Sequence, residues 1–269
     1  MAPPLTKIFD DRRQMADACA AWLVERIGQT QGRFAIALSG GSTPKPLYAL
    51  LATPGIARQI PWDRVHVFWG DERFVPADHP DNNARMARET LLSHVPIPAA
   101  NVHAMPTDGE PEAAAEAYQR TLQDYYGAAT LDPARPLFDV NLLGMGDDGH
   151  TASLFPGAPQ LDEASAWVVA VRDQKPETRI TLTYPALASA RTVLFMVEGA
   201  AKQSTLTRVF AGDRAVPAAR VHADGELVWY LDKCAAPVER LRGEEQREEG
   251  HREEGHREEG RRGEGRPGE

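Results

Sequence analysis

Cysteine is nearly absent from this chain: Cys19 and Cys234 are the only two in 269 residues. Two thiols exclude a disulfide framework and a four-cysteine zinc site. Neither has a reactive sequence context, so both are expected to be buried structural thiols. A basic excess is missing too. Thirty Lys and Arg face 39 Asp and Glu, for a net charge of −9. That balance argues against a general nucleic-acid coat, which needs a basic face, and no nucleic-acid partner is expected. Long apolar runs are also lacking. The longest clean ones, Trp167–Val171 and Val193–Val197, have strand length, whereas a membrane-spanning helix needs about 20 apolar residues. Met1 to Asp10 shows no basic segment followed by an apolar one, so no secretory signal is read. No membrane partner is expected, and the sequence reads as soluble and cytoplasmic.

The C-terminal stretch lacks apolar residues altogether. From Gly243 to Glu269 the chain carries 10 Glu and 6 Arg in a five-residue repeat with glycine in every unit. Each glycine costs a helix about 1 kcal/mol, and nothing apolar offsets it, so residues 243–269 are expected to form a disordered tail. A weak metal site at His251 and His256 is the alternative, but a five-residue spacing suits one helix face poorly, and no metal site is expected. Residues 1–242 show no composition break and are expected to form a single catalytic α/β domain. The 42% hydrophobic content supplies a sizeable core.

Within that domain, strand-like and helix-like runs alternate. Short apolar strands are expected at Phe34–Leu38, Val65–Trp69, Phe138–Leu143, Trp167–Val171, Ile180–Thr183, Thr192–Val197 and Leu227–Leu231. Helices are expected from Asp11 to about Ile27 (with Asp10 as cap), at Pro44–Leu51, Asn82–His94, Glu112–Tyr126 and Ala201–Phe210. This alternation implies a Rossmann-like, mainly parallel sheet flanked by helices. Ligands of such sheets bind beyond the carboxyl ends of the strands.

Three clusters follow predicted strands. Ser39-Gly40-Gly41-Ser42-Thr43-Pro44 combines a close-approach backbone with hydroxyl donors and a proline suited to a helix start, which is a phosphate cradle. It is not a Walker loop, because the Lys-Ser/Thr ending is missing. An ordinary glycine-rich turn is the alternative. Trp69-Gly70-Asp71-Glu72-Arg73 places two carboxylates and a guanidinium at the sheet edge; a solvated turn with a local salt bridge is its alternative. Gly144-Met145-Gly146-Asp147-Asp148-Gly149-His150-Thr151 matches a dinucleotide fingerprint by letters. However, Asp147 and Asp148 would repel a pyrophosphate, and a proline follows at position 156 where a long helix should run. The turn is better read as presenting His150 beside Asp148, a general-base arrangement. Arg179 and Lys202 follow or open further elements and reach toward the same edge.

In order, Leu38–Pro44, Trp69–Arg73 with Asp81-Asn82-Asn83, Asn141–Pro156, Arg179–Thr183 and Gly199–Lys202 resemble the 6-phosphogluconolactonase family. They span most of residues 7–233; the tail has no counterpart. The resemblance implies the fold shared with sugar-phosphate isomerases and deaminases. It also implies hydrolysis of the δ-lactone of 6-phosphogluconate in the oxidative pentose phosphate route, with no metal or organic cofactor. The partner is then a small sugar-phosphate lactone. Deaminase relatives share the loop and the Asp-Gly-His turn but use a glutamate five residues after the histidine, where this chain has Phe155. A non-catalytic sugar-phosphate-binding regulator is a third reading, disfavoured by the acidic charge and by the lack of a helix-turn-helix segment before Phe34. Under the lactonase reading, Gly40, Gly41, Ser42, Thr43, Arg179 and Lys202 bind the substrate phosphate. His150, oriented by Asp148, activates water, with Asp71 as the other candidate base and Arg73 at the oxyanion.

Overall fold

The computed structural model describes residues 4–241, so the expected tail at 243–269 lies outside the described residues. In chain order the elements are β1 (Leu5–Phe9), α1 (Arg12–Gln29), β2 (Phe34–Leu38), α2 (Lys45–Leu51), the short α3 (Pro54–Ala57), β3 (Val65–Trp69), β4 (Asp71–Arg73), α4 (Asn83–Thr90), α5 (Pro111–Tyr126), β5 (Phe138–Leu143), β6 (Val168–Val171), β7 (Arg179–Leu182), α6 (Tyr184–Ala188), β8 (Ala190–Val197), α7 (Gln203–Phe210) and β9 (Glu226–Asp232).

Six strands form one sheet in the order β1-β9-β8-β5-β2-β3, and every neighbouring pair is parallel. A parallel sheet covered on both faces needs strands that are apolar throughout. Phe34-Ala35-Ile36-Ala37-Leu38 meets that demand, with all five residues buried. Met15, Cys19 and Leu23 of α1, Leu47 and Tyr48 of α2, and Tyr118 and Leu122 of α5 are fully buried in the same core.

Several expectations are corrected by local chemistry. Asp11, not Asp10, caps α1: its extended backbone lets Oδ1 accept from the amides of Arg13 and Gln14, and the helix runs on to Gln29. Asn82 lies outside α4 as its cap, accepting from the Arg85 amide, and the helix ends at Thr90 before a separate 3-10 turn at Leu92–His94. The run at Ala201 likewise begins as a 3-10 turn, with α7 starting at Gln203. β1 was not anticipated; its pattern is half exposed, as befits the edge of the sheet. Cys234 is exposed rather than buried, whereas Cys19 is buried as expected.

The largest departure is a second sheet. β6 and β7 do not join the parallel sheet; with β4 they form a three-stranded antiparallel one in the order β4-β7-β6. Gly70 alone separates β3 from β4 and belongs to both sheets by hydrogen bonding. Its amide donates to the Leu38 carbonyl at 3.0 Å, and its carbonyl accepts from the Leu182 amide at 2.9 Å.

Candidate active site

The chain leaves β2 for β3 on one side, while β5 lies on the other side of β2. The connections after β2 and β5 therefore diverge, which opens a crevice at the carboxyl end of the sheet. A cleft of about 400 Å³ occupies it. Its walls include Gly40, Gly41, Ser42, Thr43, Asp71, Arg73, His150, Arg179 and Lys202. Asp148 alone of the expected residues does not line the cleft; it stands behind His150.

The loop after β2 is built for close approach. Gly41 has φ +92°, and a methyl group on Gly40 would overlap the side-chain amide of Asn83. The Tyr48 hydroxyl pins the start of the loop, donating to the Ser39 carbonyl at 2.7 Å and accepting from its amide. Among the described residues, no backbone amide from Gly40 to Thr43 donates a hydrogen bond. Four open donors on a curved backbone are the arrangement that suits an anion. The Thr43 hydroxyl is engaged elsewhere: it donates to Glu198, which also pairs with Arg12 at 3.3 Å, and Arg12 in turn donates to the Ser42 carbonyl. Arg12 and Glu198 thus brace the loop from α1 and from the end of β8.

The small sheet supplies the charges opposite. Arg73 and Arg179 are direct cross-strand partners in the β4–β7 pair, so their side chains leave the same face. Two like charges side by side are unfavourable unless something compensates. Arg73 is held by the Asn83 amide oxygen at 2.6 Å and the Asp81 carbonyl at 3.0 Å. Arg179 pairs with Glu177 at 3.2 Å, but its Nε is buried without a hydrogen-bond partner. Burial and then the Arg73 charge push the Arg179 guanidinium below its ordinary pKa. An anion bound between these two arginines would relieve both strains. Asp71, buried on the same strand, accepts from the Ser153 hydroxyl at 2.6 Å.

Glu72 points away from this face and toward α4. Fully buried, it accepts from the amides of Arg73, Asn83 and Ala84 at 2.7–2.8 Å. Burial pushes its carboxyl up to about 7 against the pull of those three donors. Glu72 thereby fastens the first turn of α4 to β4, and Asn83 completes the bond by donating to the Asp71 carbonyl at 2.9 Å.

The turn after β5 presents His150. Its backbone folds back on itself, the Gly146 amide donating to the His150 carbonyl and the Gly149 amide to the Gly146 carbonyl. A side chain at Gly146 would overlap the His150 ring and the Asp148 carboxylate. Those glycines serve the turn rather than a dinucleotide, as the two aspartates suggest. His150 Nδ1 lies 2.5 Å from Asp148 Oδ1, which also accepts from the His150 amide at 3.0 Å. Burial pushes the Asp148 carboxyl up, but the two His150 hydrogen bonds, the His150 charge and the Lys175 ammonium together hold it below the usual range. Among the described residues His150 Nε2 has no hydrogen-bond partner. Lys202 reaches across from the turn before α7 to pair with Asp147.

Asn83, Ser153, Glu198 and Lys175 also line the cleft, and no role for them was expected from the sequence. Asn83 and Ser153 had a signal, as members of Asp81-Asn82-Asn83 and of Asn141–Pro156. The reach of Asn83 to Gly40, 43 positions earlier, is set by packing that no local pattern carries.

Fold and cleft define an α/β protein in which the histidine of a histidine–carboxylate pair shares a cleft with open backbone amides and two arginines at the switch point of a parallel sheet. The profile of the family described as glucosamine-6-phosphate isomerases/6-phosphogluconolactonase matches residues 10–229. The chain belongs to that family. It is 49% identical over 209 residues to a 6-phosphogluconolactonase of Nostoc, covering 76% of this chain and 84% of the relative. It is 43% identical over 248 residues to one of Synechocystis, covering 90% and 100%. Among solved structures, the 6-phosphogluconolactonase of Thermotoga maritima superposes with a TM-score of 0.74 at 30% identity, covering 86% of this chain and all of that one. A monomeric glucosamine-6-phosphate deaminase shares the fold at TM-score 0.72 and 17% identity, covering 86% of this chain and 98% of that one.

Proposed function

We propose that this chain hydrolyses 6-phospho-D-glucono-1,5-lactone to 6-phosphogluconate, the lactone-opening step of the oxidative pentose phosphate route. The observation that carries this reading is the His150–Asp148 pair, with Nε2 open, in the same cleft as the open-amide loop and the Arg73–Arg179 pair. The names of the similar proteins support it.

The loop amides of Gly40 to Thr43 hold the substrate phosphate, with Arg179 and Lys202 supplying positive charge; Lys202 exchanges Asp147 for the phosphate. A water between Nε2 and the lactone carbonyl gives its proton to His150 as its oxygen attacks the carbon. Charge gathers on the former carbonyl oxygen, and Arg73 stabilises it. Collapse of the tetrahedral intermediate breaks the bond to the ring oxygen, which takes the proton back from His150. Asp148 holds the ring in the tautomer with Nδ1 protonated, leaving Nε2 as the acceptor. Asp71 already accepts from Ser153, which favours His150 over Asp71 as the base and leaves Asp71 to orient the sugar.

The deaminase reading requires an acid–base group five residues after His150. Phe155 stands there, buried, with its ring centroid 4.7 Å from that of His150. A phenyl ring transfers no proton. The partner is a small molecule, with no nucleic acid involved. Two free thiols and no disulfide fit a reducing, cytoplasmic setting, and no described helix is long and apolar enough to cross a membrane.

Lactone hydrolysis, followed as acid release and corrected for spontaneous opening, tests the reading. The chain should exceed the spontaneous rate, and His150→Ala should lower kcat by roughly 10²–10⁴-fold, the usual contribution of a general base. Ammonia release from glucosamine 6-phosphate, or lactone binding without turnover, would overturn it.

A further inference from the structure

The connection between β6 and β7 reaches the cleft through Lys175 and is tied down at both ends. Arg172 makes a two-pronged pair with Glu112 of α5, at 2.8 and 2.7 Å. Arg179 pairs with Glu177. Asp173, just after β6, adopts φ +61°, an unusual conformation for a residue with a side chain. Lys175 sits at its middle and lines the cleft. Its Nζ lies 3.9 Å from Asp148 Oδ2 and 5.2 Å from the centroid of the Phe155 ring.

The two oxygens of Asp148 are thus divided, Oδ1 serving His150 and Oδ2 facing Lys175. Phe155 is likewise shared, with the imidazole and the ammonium both packed against it. An ammonium near an aromatic ring is attracted to its face, so the ring and the carboxylate give Lys175 two attachments. The other charged groups of the cleft are Asp71, Arg73, Arg179, Glu198 and Lys202. Lys202 pairs with Asp147, and Arg73 and Arg179 are held on the small sheet. Among the described residues, Lys175 is the one cation in an ion pair with Asp148 other than His150 itself.

We propose that Lys175 is a positioning residue of the active site, acting through Asp148 and Phe155 to balance the charge on the His150 imidazole and keep it a neutral base. This rests on the reading of His150 as the base. A carboxylate next to an imidazole stabilises its protonated form, and a cation on the far oxygen of that carboxylate opposes the effect. Without Lys175, Asp148 would favour the imidazolium, and the fraction of neutral His150 would fall at mildly acidic pH.

The test is the pH profile of kcat/KM for the parent chain, Lys175→Met and Lys175→Arg, together with the NMR titration of the His150 ring in each. Lys175→Met keeps most of the stem and removes the charge. Its acidic limb should move up by about 0.5–1 pH unit, the ring titration should move with it, and the plateau should stay within about threefold of the parent. Lys175→Arg should restore both. An unshifted limb and ring titration, a rise in KM alone, or an arginine variant that behaves like the methionine one would overturn the proposal. His150→Asn serves as the control. If it retains the acidic limb and most of the rate, the base assignment itself fails; if it is inactive while Lys175→Met is unshifted, only the role of Lys175 fails.

Discussion

Arg179 concentrates the electrostatic logic of the cleft in one side chain. It is half-buried, stands beside a second arginine, and has a buried Nε with no partner. Such a group is unfavourable in the empty site and becomes satisfied when an anion arrives. A charge-assisted hydrogen bond contributes about 1.5–3 kcal/mol. Arg179→Ala should therefore raise KM for the lactone by roughly 10–100-fold with a much smaller change in kcat, and Arg179→Lys should recover only part, because an ammonium lacks the planar fork. Steady-state kinetics at fixed pH decide this. A defect confined to kcat would contradict an anchoring role. Asn83 illustrates the opposite case, a residue whose local motif marks it but does not say what it touches. It is nearly fully buried and joins Arg73, the Asp71 backbone and the Gly40 loop. Two of those partners lie together on β4, and the third, Gly40, is 43 positions earlier in the chain.

At the scale of elements, the joint between β4 and α4 is pH-sensitive. Glu72 is held by three amides but lies out of water, with its carboxyl pushed up to about 7 from 4.5. An acid whose folded pKa is raised keeps a proton that the unfolded chain has released. Its contribution to stability is therefore greatest below about 4.5, declines as pH rises to about 7, and is flat beyond. The shift bounds the loss at about 3 kcal/mol. Urea unfolding of the parent and of Glu72→Gln between pH 4.5 and 8 should show stability curves that differ by this slope; parallel curves would contradict it. The elements also show what was legible beforehand. The phosphate loop and the histidine turn could be read because glycine, proline and acidic residues there act within a few positions of one another. The cap of α1 could not be fixed to one residue, because Asp10 and Asp11 are chemically equal and only the backbone angle at Asp11 chooses. The second sheet was hidden for a different reason: β4 has three residues, all charged, and its pairing with β7 spans more than a hundred positions.

Over the whole molecule, the cleft is lined by residues from Ser39 to Lys202, and none of its lining among the described residues lies beyond Lys202. We propose that the repeat after Arg242 takes no part in catalysis. A chain truncated after Arg242 should keep kcat/KM within about twofold of the full-length protein, and a loss of more than tenfold would place part of the site in the tail. The cleft itself is assembled from two sheets that meet at Gly70. The main sheet contributes the loops after β2 and β5, and the small sheet contributes Asp71, Arg73 and Arg179. Under the proposed function, anchoring and chemistry fall largely to separable stretches of chain. The loop after β2, Arg179 and Lys202 would hold the phosphate end of a substrate, while Arg73 and the single turn from His150 to Phe155 would act at the other end. A scaffold divided in this way would let the reaction change while the grip on the substrate is inherited, with the position of Phe155 as the place where one exchanged side chain would tell the two chemistries apart.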